Sequence, residues 1–240
     1  MESLISLVVP VYNEAGNVPL LLKSIEEFVH EPYEVLIVYD FPEDDTLPAI
    51  AGMSPPAKNV VLVHNTLGKG VLNAYKAGFA VAKGDVIIPV AGDRADDPKD
   101  IPLLAEKLRM GADVVCGSRY MRGGAQIGGP FFKQLLSRFA GVSLYYLAGL
   151  PTHDATNNFR AYSRRVIDMQ IESQVSFALG IELVTKAFRH GWRIEEVPTI
   201  WRDRRVGISR FRLWAWLPEY LHWYFLAFSF RWFFCEKARR

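Results

Sequence analysis

Short, near-continuous apolar runs separated by helix-period segments constrain this chain most. The runs cover residues 4–9, 34–39, 60–64, 85–90 and 114–118 and are rich in Val and Ile. A half-buried strand alternates apolar and polar residues, whereas one covered on both faces stays apolar throughout. Residues 17–29, 47–51, 69–82 and 100–110, between the runs, carry helical spacing. This alternation predicts an α/β fold, a doubly wound, mainly parallel sheet with helices on both faces. Asn17 is placed to cap the first helix, with Pro19 in its first turn, and Gly84 and Gly111 to end the helices before them. A chain of 240 residues fits one large domain. We assign residues 1–212 to it and residues 213–240 to a C-terminal amphipathic aromatic helix.

Three runs end in polar groups: Pro10-Val11-Tyr12-Asn13-Glu14, Tyr39-Asp40 and Ala91-Gly92-Asp93. Ligands of α/β sheets sit at the carboxyl ends of strands, and carboxylates there grip hard cations and their phosphates. The three tips predict one nucleotide-diphosphate site. The net charge of +2 is too small to argue for nucleic acid. Its distribution is more informative, with Asp93, Asp96 and Asp97 in the first half and Arg202, Arg204, Arg205, Arg210 and Arg212 near the end. Such a layout suits a reaction between anions bridged by a cation. Cys116 and Cys235 have neither CxxC nor His-paired spacing, so a reducing cytosol is expected and a disulfide framework or zinc site is not. No basic leader precedes the first strand, so no signal peptide is expected.

From residue 119 the character changes. Residues 119–130 are glycine-rich, and a helix is predicted over 131–147. Residues 153–162, a short helix from 164, a helix over 181–190 and an extended stretch over 193–201 follow. The tail is dense in Trp, Tyr and Phe. Its uncharged run, 220–230, would span roughly 16 Å as a helix, short of the ~30 Å bilayer core. Aromatic rings flanked by Arg suit a helix lying in a membrane interface. A core helix or a dimer contact is the alternative.

Pro10-Val11-Tyr12-Asn13-Glu14, Asp40-Phe41-Pro42-Glu43-Asp44-Asp45-Thr46, Gly68-Lys69-Gly70, Gly92-Asp93, Gly117-Ser118-Arg119-Tyr120 and Asp203-Arg204-Arg205-Val206-Gly207-Ile208-Ser209-Arg210 follow one another in order. This series resembles the family-2 inverting glycosyltransferases of GT-A fold, most of all the polyprenyl-phosphate (dolichyl-phosphate) mannosyl- and glucosyltransferases. The resemblance implies a donor site at Pro10, Tyr12, Glu14, Asp40 and Lys69, with Arg204 and Arg210 closing on the diphosphate from a loop hinged at Gly207. It implies a Mg²⁺ or Mn²⁺ ion at Asp93, helped by Asp96, while Asp97 suits a helix cap. Ala91 and Ala95 depart from the family's metal motif, which has Asp and Gln there, and Tyr39, Phe41 and Pro42 depart around Asp40. Asp44 and Thr46 fit either the donor site or a helix cap.

Arg119, Lys133 and Ser137 match positions that hold a lipid phosphate, and Asp154 an acidic position near the reaction centre. Asp93, Arg119, Asp154 and Arg204 are the expected catalytic set. His153 is not needed as a base, because a phosphate monoester is already anionic. Arg160 and Glu182 are as well suited to structural pairing. The implied reaction is inverting transfer of a hexose from a nucleotide sugar to a polyprenyl phosphate by a peripheral protein at the cytoplasmic face of a membrane. A transferase for a soluble saccharide and a non-catalytic nucleotide-sugar-binding module are the alternatives.

Overall fold

The computed structural model describes residues 3–203 and 213–237; the side chains of residues 133, 177, 213–216 and 230–237 are outside that description. Arg204, Gly207, Ser209 and Arg210 thus lie outside the described residues, as does the Cys235 side chain. The described strands are β1 (Ile5–Pro10), β2 (Tyr33–Tyr39), β3 (Val60–His64), β4 (Val86–Pro89), β5 (Val114–Ser118), β6 (Ala125–Ile127), β7 (Arg160–Ser163), β8 (Ile194–Pro198) and β9 (Ile200–Arg202). Seven of them make one sheet in the order β3-β2-β1-β4-β7-β5-β8, and β6 pairs with β9 in a second. Every pairing is parallel except those of β7, which is antiparallel to both β4 and β5.

Helices α1 (Val18–Phe28), α2 (Thr46–Ala51), α3 (Val71–Val81), α4 (Ile101–Arg109), α5 (Phe131–Ser143), α6 (Arg164–Ile167), α7 (Ser176–Arg189) and α8 (Leu213–Lys237) complete the described fold. Side chains alternate across β1. Ile5, Leu7 and Val9 pack with Leu21 and Ile25 of α1 and Ile101 and Leu104 of α4. Val8 faces the other way, into a layer with Phe79 of α3 and Leu183 of α7. These aliphatic side chains are fully buried, each stabilising the fold by about 1.5–3 kcal/mol.

Several local details differ from the sequence expectation. Asn17 makes no side-chain cap; its Nδ2 donates instead to Glu14 Oε2 at 2.6 Å, next to the first strand tip. Gly84 is no helix terminator. The α3 helix already ends at Val81, and a Cβ on Gly84 would lie 2.4 Å from the Leu4 carbonyl oxygen, so close backbone approach requires glycine there. Gly111 does end α4, with φ +99° and its N–H bonded to the Leu108 oxygen. The α7 helix starts at Ser176, five residues ahead of the expected 181. The helix expected over 131–147 runs as α5 and then closes in a π-helix, Leu144–Ala148.

The C-terminal helix packs onto the main core. Trp223 and Ala227 are buried against it, Trp223 Nε1 donates to Ser173 Oγ at 3.1 Å, and Tyr224 and Ser143 share a hydrogen bond of 2.8 Å. Leu221 and Phe225 point outward and are exposed, so the described part is apolar on both faces and departs from the expected amphipathic pattern. Among the described residues, no helix is long and apolar enough to cross a membrane.

Candidate active site

The carboxyl ends of β1, β2 and β4 bring the predicted donor residues to one edge of the sheet. Asn13, in a left-handed turn (φ +54°), bends the chain after β1. The turn is tied down by its neighbour: Asn13 N donates to Asp44 Oδ2 at 3.0 Å and Glu14 N to Thr46 Oγ1 at 2.9 Å. Asp44 and Thr46 are wholly buried and therefore brace the donor loop from beneath. Tyr12 is exposed and meets Phe41 edge-on with ring centroids 5.3 Å apart. The pair offers an aromatic wall beside Asp40. Asp40 itself accepts from Asn65 Nδ2 at 2.7 Å and Gly70 N at 2.8 Å, which fixes its carboxylate. Lys69 is exposed between Gly68 and Gly70, both at positive φ. Asn65 is a residue that sequence reasoning missed, because nothing in the chain marks it as the partner of Asp40.

The turn after β4 folds its carboxylates together. Asp93 Oδ1 accepts from Ala95 N at 3.1 Å, and Asp96 Oδ2 from Ala91 N at 3.3 Å. Asp97 accepts from Lys99 N and caps a 3₁₀ turn, Pro98–Asp100, as its sequence context implies. Asp96 is buried. Burial first, and then the charge of Asp93, push its carboxyl up to about 7. Among the described residues no group of three or more His, Cys, Asp or Glu could hold a metal ion. A buried carboxylate whose ionisation is opposed by a neighbouring one does fit a dication whose remaining ligands are diphosphate oxygens and water. Arg119 acts on Asp96 in the opposite sense, lowering its pKa, so Asp93, Asp96 and Arg119 share one electrostatic neighbourhood.

Arg119 follows β5 and is almost enclosed. Its backbone N, Nε and Nη2 donate to the Asp154 carboxylate at 3.1, 2.7 and 2.9 Å. Nη2 also reaches Ser137 Oγ at 3.1 Å and Thr156 Oγ1 at 2.5 Å. Burial works against the charge of Arg119, but the Asp154 carboxylate outweighs it and holds the guanidinium above its ordinary value. Among the described residues Nη1 makes no hydrogen bond, which leaves that edge of the guanidinium for an anion. Ser137 lies on α5 and also bonds Tyr120 Oη at 2.5 Å. The structure thus brings together Arg119, Ser137 and Asp154. Lys133 stands one turn before Ser137 on α5, its side chain outside the description. Tyr120, from the motif after β5, and Thr156, which has no sequence signal of its own, complete this hydrogen-bonded cluster. Arg160 and Glu182 prove structural, since Arg160 donates to the Gly180 and Asp154 carbonyls and Glu182 accepts from Glu172 N and Ser173 N.

The opposite face of α5 is bare. Phe132, Leu135, Leu136 and Phe139 recur at helical spacing and are all exposed, Phe139 to 68%. Phe131, Tyr146 and Leu147 extend the same apolar surface.

Residues 6–169 match the model for Glycosyl transferase family 2. The chain is 30% identical over 212 residues to a polyprenol monophosphomannose synthase of Mycolicibacterium smegmatis, covering 85% of this chain and 79% of that one. It is 32% identical over 209 residues to an undecaprenyl-phosphate mannosyltransferase of Micrococcus luteus, covering 85% of each. A dolichol-phosphate mannosyltransferase of Pyrococcus furiosus is 28% identical over 87% of this chain, which spans 59% of that protein. Glucosyl-3-phosphoglycerate synthase from Mycobacterium tuberculosis, solved with Mn²⁺, UDP-glucose and phosphoglyceric acid, shares the fold with a TM-score of 0.69. That match has 21% identity and covers 95% of this chain and 80% of that one.

Proposed function

The chain belongs to glycosyl transferase family 2 and is a glycosyltransferase; from that premise we propose that it transfers a hexose from a nucleotide-diphosphate sugar to a polyprenyl phosphate at a membrane surface. One observation carries the reading. Helix α5 presents Ser137 to the guanidinium of Arg119 on one face and a row of exposed Phe and Leu on the other. An anion-binding group directly beneath an apolar helix suits an acceptor with a phosphate head and a hydrocarbon tail. The names of the relatives, all polyprenyl-phosphate mannosyl transferases, support the same acceptor class.

In this proposal the donor, of GDP-mannose or UDP-glucose type, lies across Pro10, Tyr12, Glu14, Asp40 and Lys69. Tyr12 and Phe41 flank the base. Asp93 and Asp96 would hold Mg²⁺ or Mn²⁺, and the ion when bound would supply positive charge to the departing diphosphate. Arg119, immobilised by Asp154, aims Nη1 at the acceptor phosphate, with Ser137 and Lys133 beside it. The phosphate is already an anion, so the chain need only orient it for in-line attack on the anomeric carbon and screen its charge from that of the donor. Inversion at that carbon follows from a single displacement. Arg204 and Arg210 add charge at the diphosphate from the segment after β9. The protein acts as a peripheral enzyme on the cytoplasmic side, its apolar α5 face and aromatic C-terminal helix toward lipid.

The test offers radiolabelled GDP-mannose and UDP-glucose with farnesyl phosphate or with soluble saccharides, in the presence of magnesium or manganese. The reading requires a lipid-extractable, singly glycosylated product. Transfer to soluble saccharides alone, or none at all, refutes it.

A further inference from the structure

We propose that His153 is a positioning residue for the acceptor cation: clamped between Glu196 and Tyr145, it sets the 152–157 turn that holds Arg119 against α5. The inference rests on the acceptor role given to Arg119 above. Glu196, on β8, chelates His153 with both oxygens, Oε2 accepting the backbone N–H at 2.8 Å and Oε1 lying 2.6 Å from Nδ1. The other face of the ring is taken by Tyr145 of the π-helix, stacked with centroids 3.7 Å apart at 22°. One side chain thus joins an edge strand to the helix that bears the lipid-facing surface.

The next links lead to the acceptor cation. Thr152 Oγ1 donates to Glu196 Oε2 at 3.3 Å and accepts from Asp154 N at 3.1 Å. Asp154 in turn grips Arg119. Backbone contact closes the clamp from α5, because a Cβ on Gly141 would sit 2.2 Å from the His153 carbonyl oxygen. Any shift of His153 therefore moves Asp154 and Tyr145 together, and with them the spacing between Arg119 and Ser137.

Around the ring, Glu196 faces it from β8, and Tyr145 and Tyr146 face it from the π-helix. Asp154, within the same turn, pairs with Arg119. Cys116, below Thr152 on β5 and near Arg160, is a neutral thiol, its pKa pushed up by burial. Among the described residues Glu196 is thus the one charged group in contact with the ring.

Farnesyl phosphate alone, titrated calorimetrically, tests this in the wild type, His153→Ala, His153→Gln and Glu196→Gln. His153→Ala and Glu196→Gln are expected to weaken binding, the alanine variant about tenfold, while leaving the donor KM unchanged. His153→Gln keeps a donor for Glu196 and is expected to lose less than His153→Ala. A His153→Ala variant that binds as the wild type does overturns the proposal, as does a loss shared equally with the donor. If the wild type binds farnesyl phosphate without transferring to it, the transferase reading falls and the clamp stands. If the wild type does not bind it, both fall.

Discussion

Asp154 and Arg119 form a closed unit, the fully buried carboxylate taking the arginine at its backbone N, Nε and Nη2. Removing one member strands the other's charge in a dry site. Asp154→Asn is expected to cost about 3–5 kcal/mol. The cost also has a pH signature. Burial alone raises the Asp154 carboxyl, but Arg119 outweighs it and holds it below the ordinary value. A lowered pKa contributes stability that is present above the unfolded value of about 3.9 and lost as pH falls toward the folded one. Urea melts should show wild-type stability falling steeply below about pH 4 and a flatter fall in the variant. Equal slopes would mean the pair is not formed.

Asp96 carries the reverse sign. Its carboxyl, raised to about 7 by burial and by Asp93, costs stability once ionised. That cost grows as pH rises from the ordinary value of about 3.8 and is complete above about 7. Asp96→Asn should therefore melt higher than the wild type at about pH 8, by upward of about 1 kcal/mol, and match it near about pH 4. Manganese should stabilise the wild type more than the variant. A variant that melts lower at the higher pH contradicts this.

Gly141→Ala sets two effects against each other. Alanine favours a helix by about 1 kcal/mol over glycine. The new Cβ would stand 2.2 Å from the backbone oxygen of His153, and overpacking of this kind costs about 1–3 kcal/mol. The rigid carbonyl cannot step aside, so a net loss is expected in the denaturation midpoint. A gain would show that α5 is not seated on the 152–157 turn.

Tyr220 of α8 buries its hydroxyl with no hydrogen-bond partner among the described residues. Burial, and next the charge of Asp154, hold the phenol above its ordinary pKa, so it stays neutral. Deleting an unpartnered buried hydroxyl loses no bond and removes a desolvation cost. Tyr220→Phe should leave thermal stability unchanged or raise it, by up to about 1 kcal/mol. A fall of that size would refute the packing described for α8.

Replacing Phe132, Leu135 and Phe139 together by Ser removes the centre of the bare face of α5 while touching none of the buried core. Flotation with phosphatidylglycerol vesicles should drop at least about tenfold against the wild type, with far-UV circular dichroism unchanged. Undiminished flotation would move the lipid contact elsewhere, to the aromatic tail.

The doubly wound layers are legible in the sequence because β1, β2 and β4 are nearly continuous apolar runs, broken only by Ser6 and Glu34, and such runs have few other uses. β7 is not. Its Arg160-Ala161-Tyr162-Ser163 carries no such run, and only the pairing with β4 and β5 reveals it as a strand. Gly180 misleads in a different way. It precedes the helix expected from 181, yet it lies inside α7, and glycine is needed there because a Cβ would stand 2.4 Å from Asn158 Oδ1. At the site, the strand tips announce Asp40 and Asp93 through local pattern. The contacts of Arg119 with Asp154 and Thr156 span 35 and 37 residues, and nothing local in the sequence encodes them.

The out-of-order position of β7 has a consequence for synthesis on the ribosome. β4 and β5 never touch; each is completed by the one strand slotted between them. A nascent chain that has not yet exposed residue 163 holds the half-sheet β3-β2-β1-β4 with an unsealed β4 rim, and a lone β5 whose other partner, β8, is not yet made. Such a chain depends on chaperone cover until the intervening strand arrives.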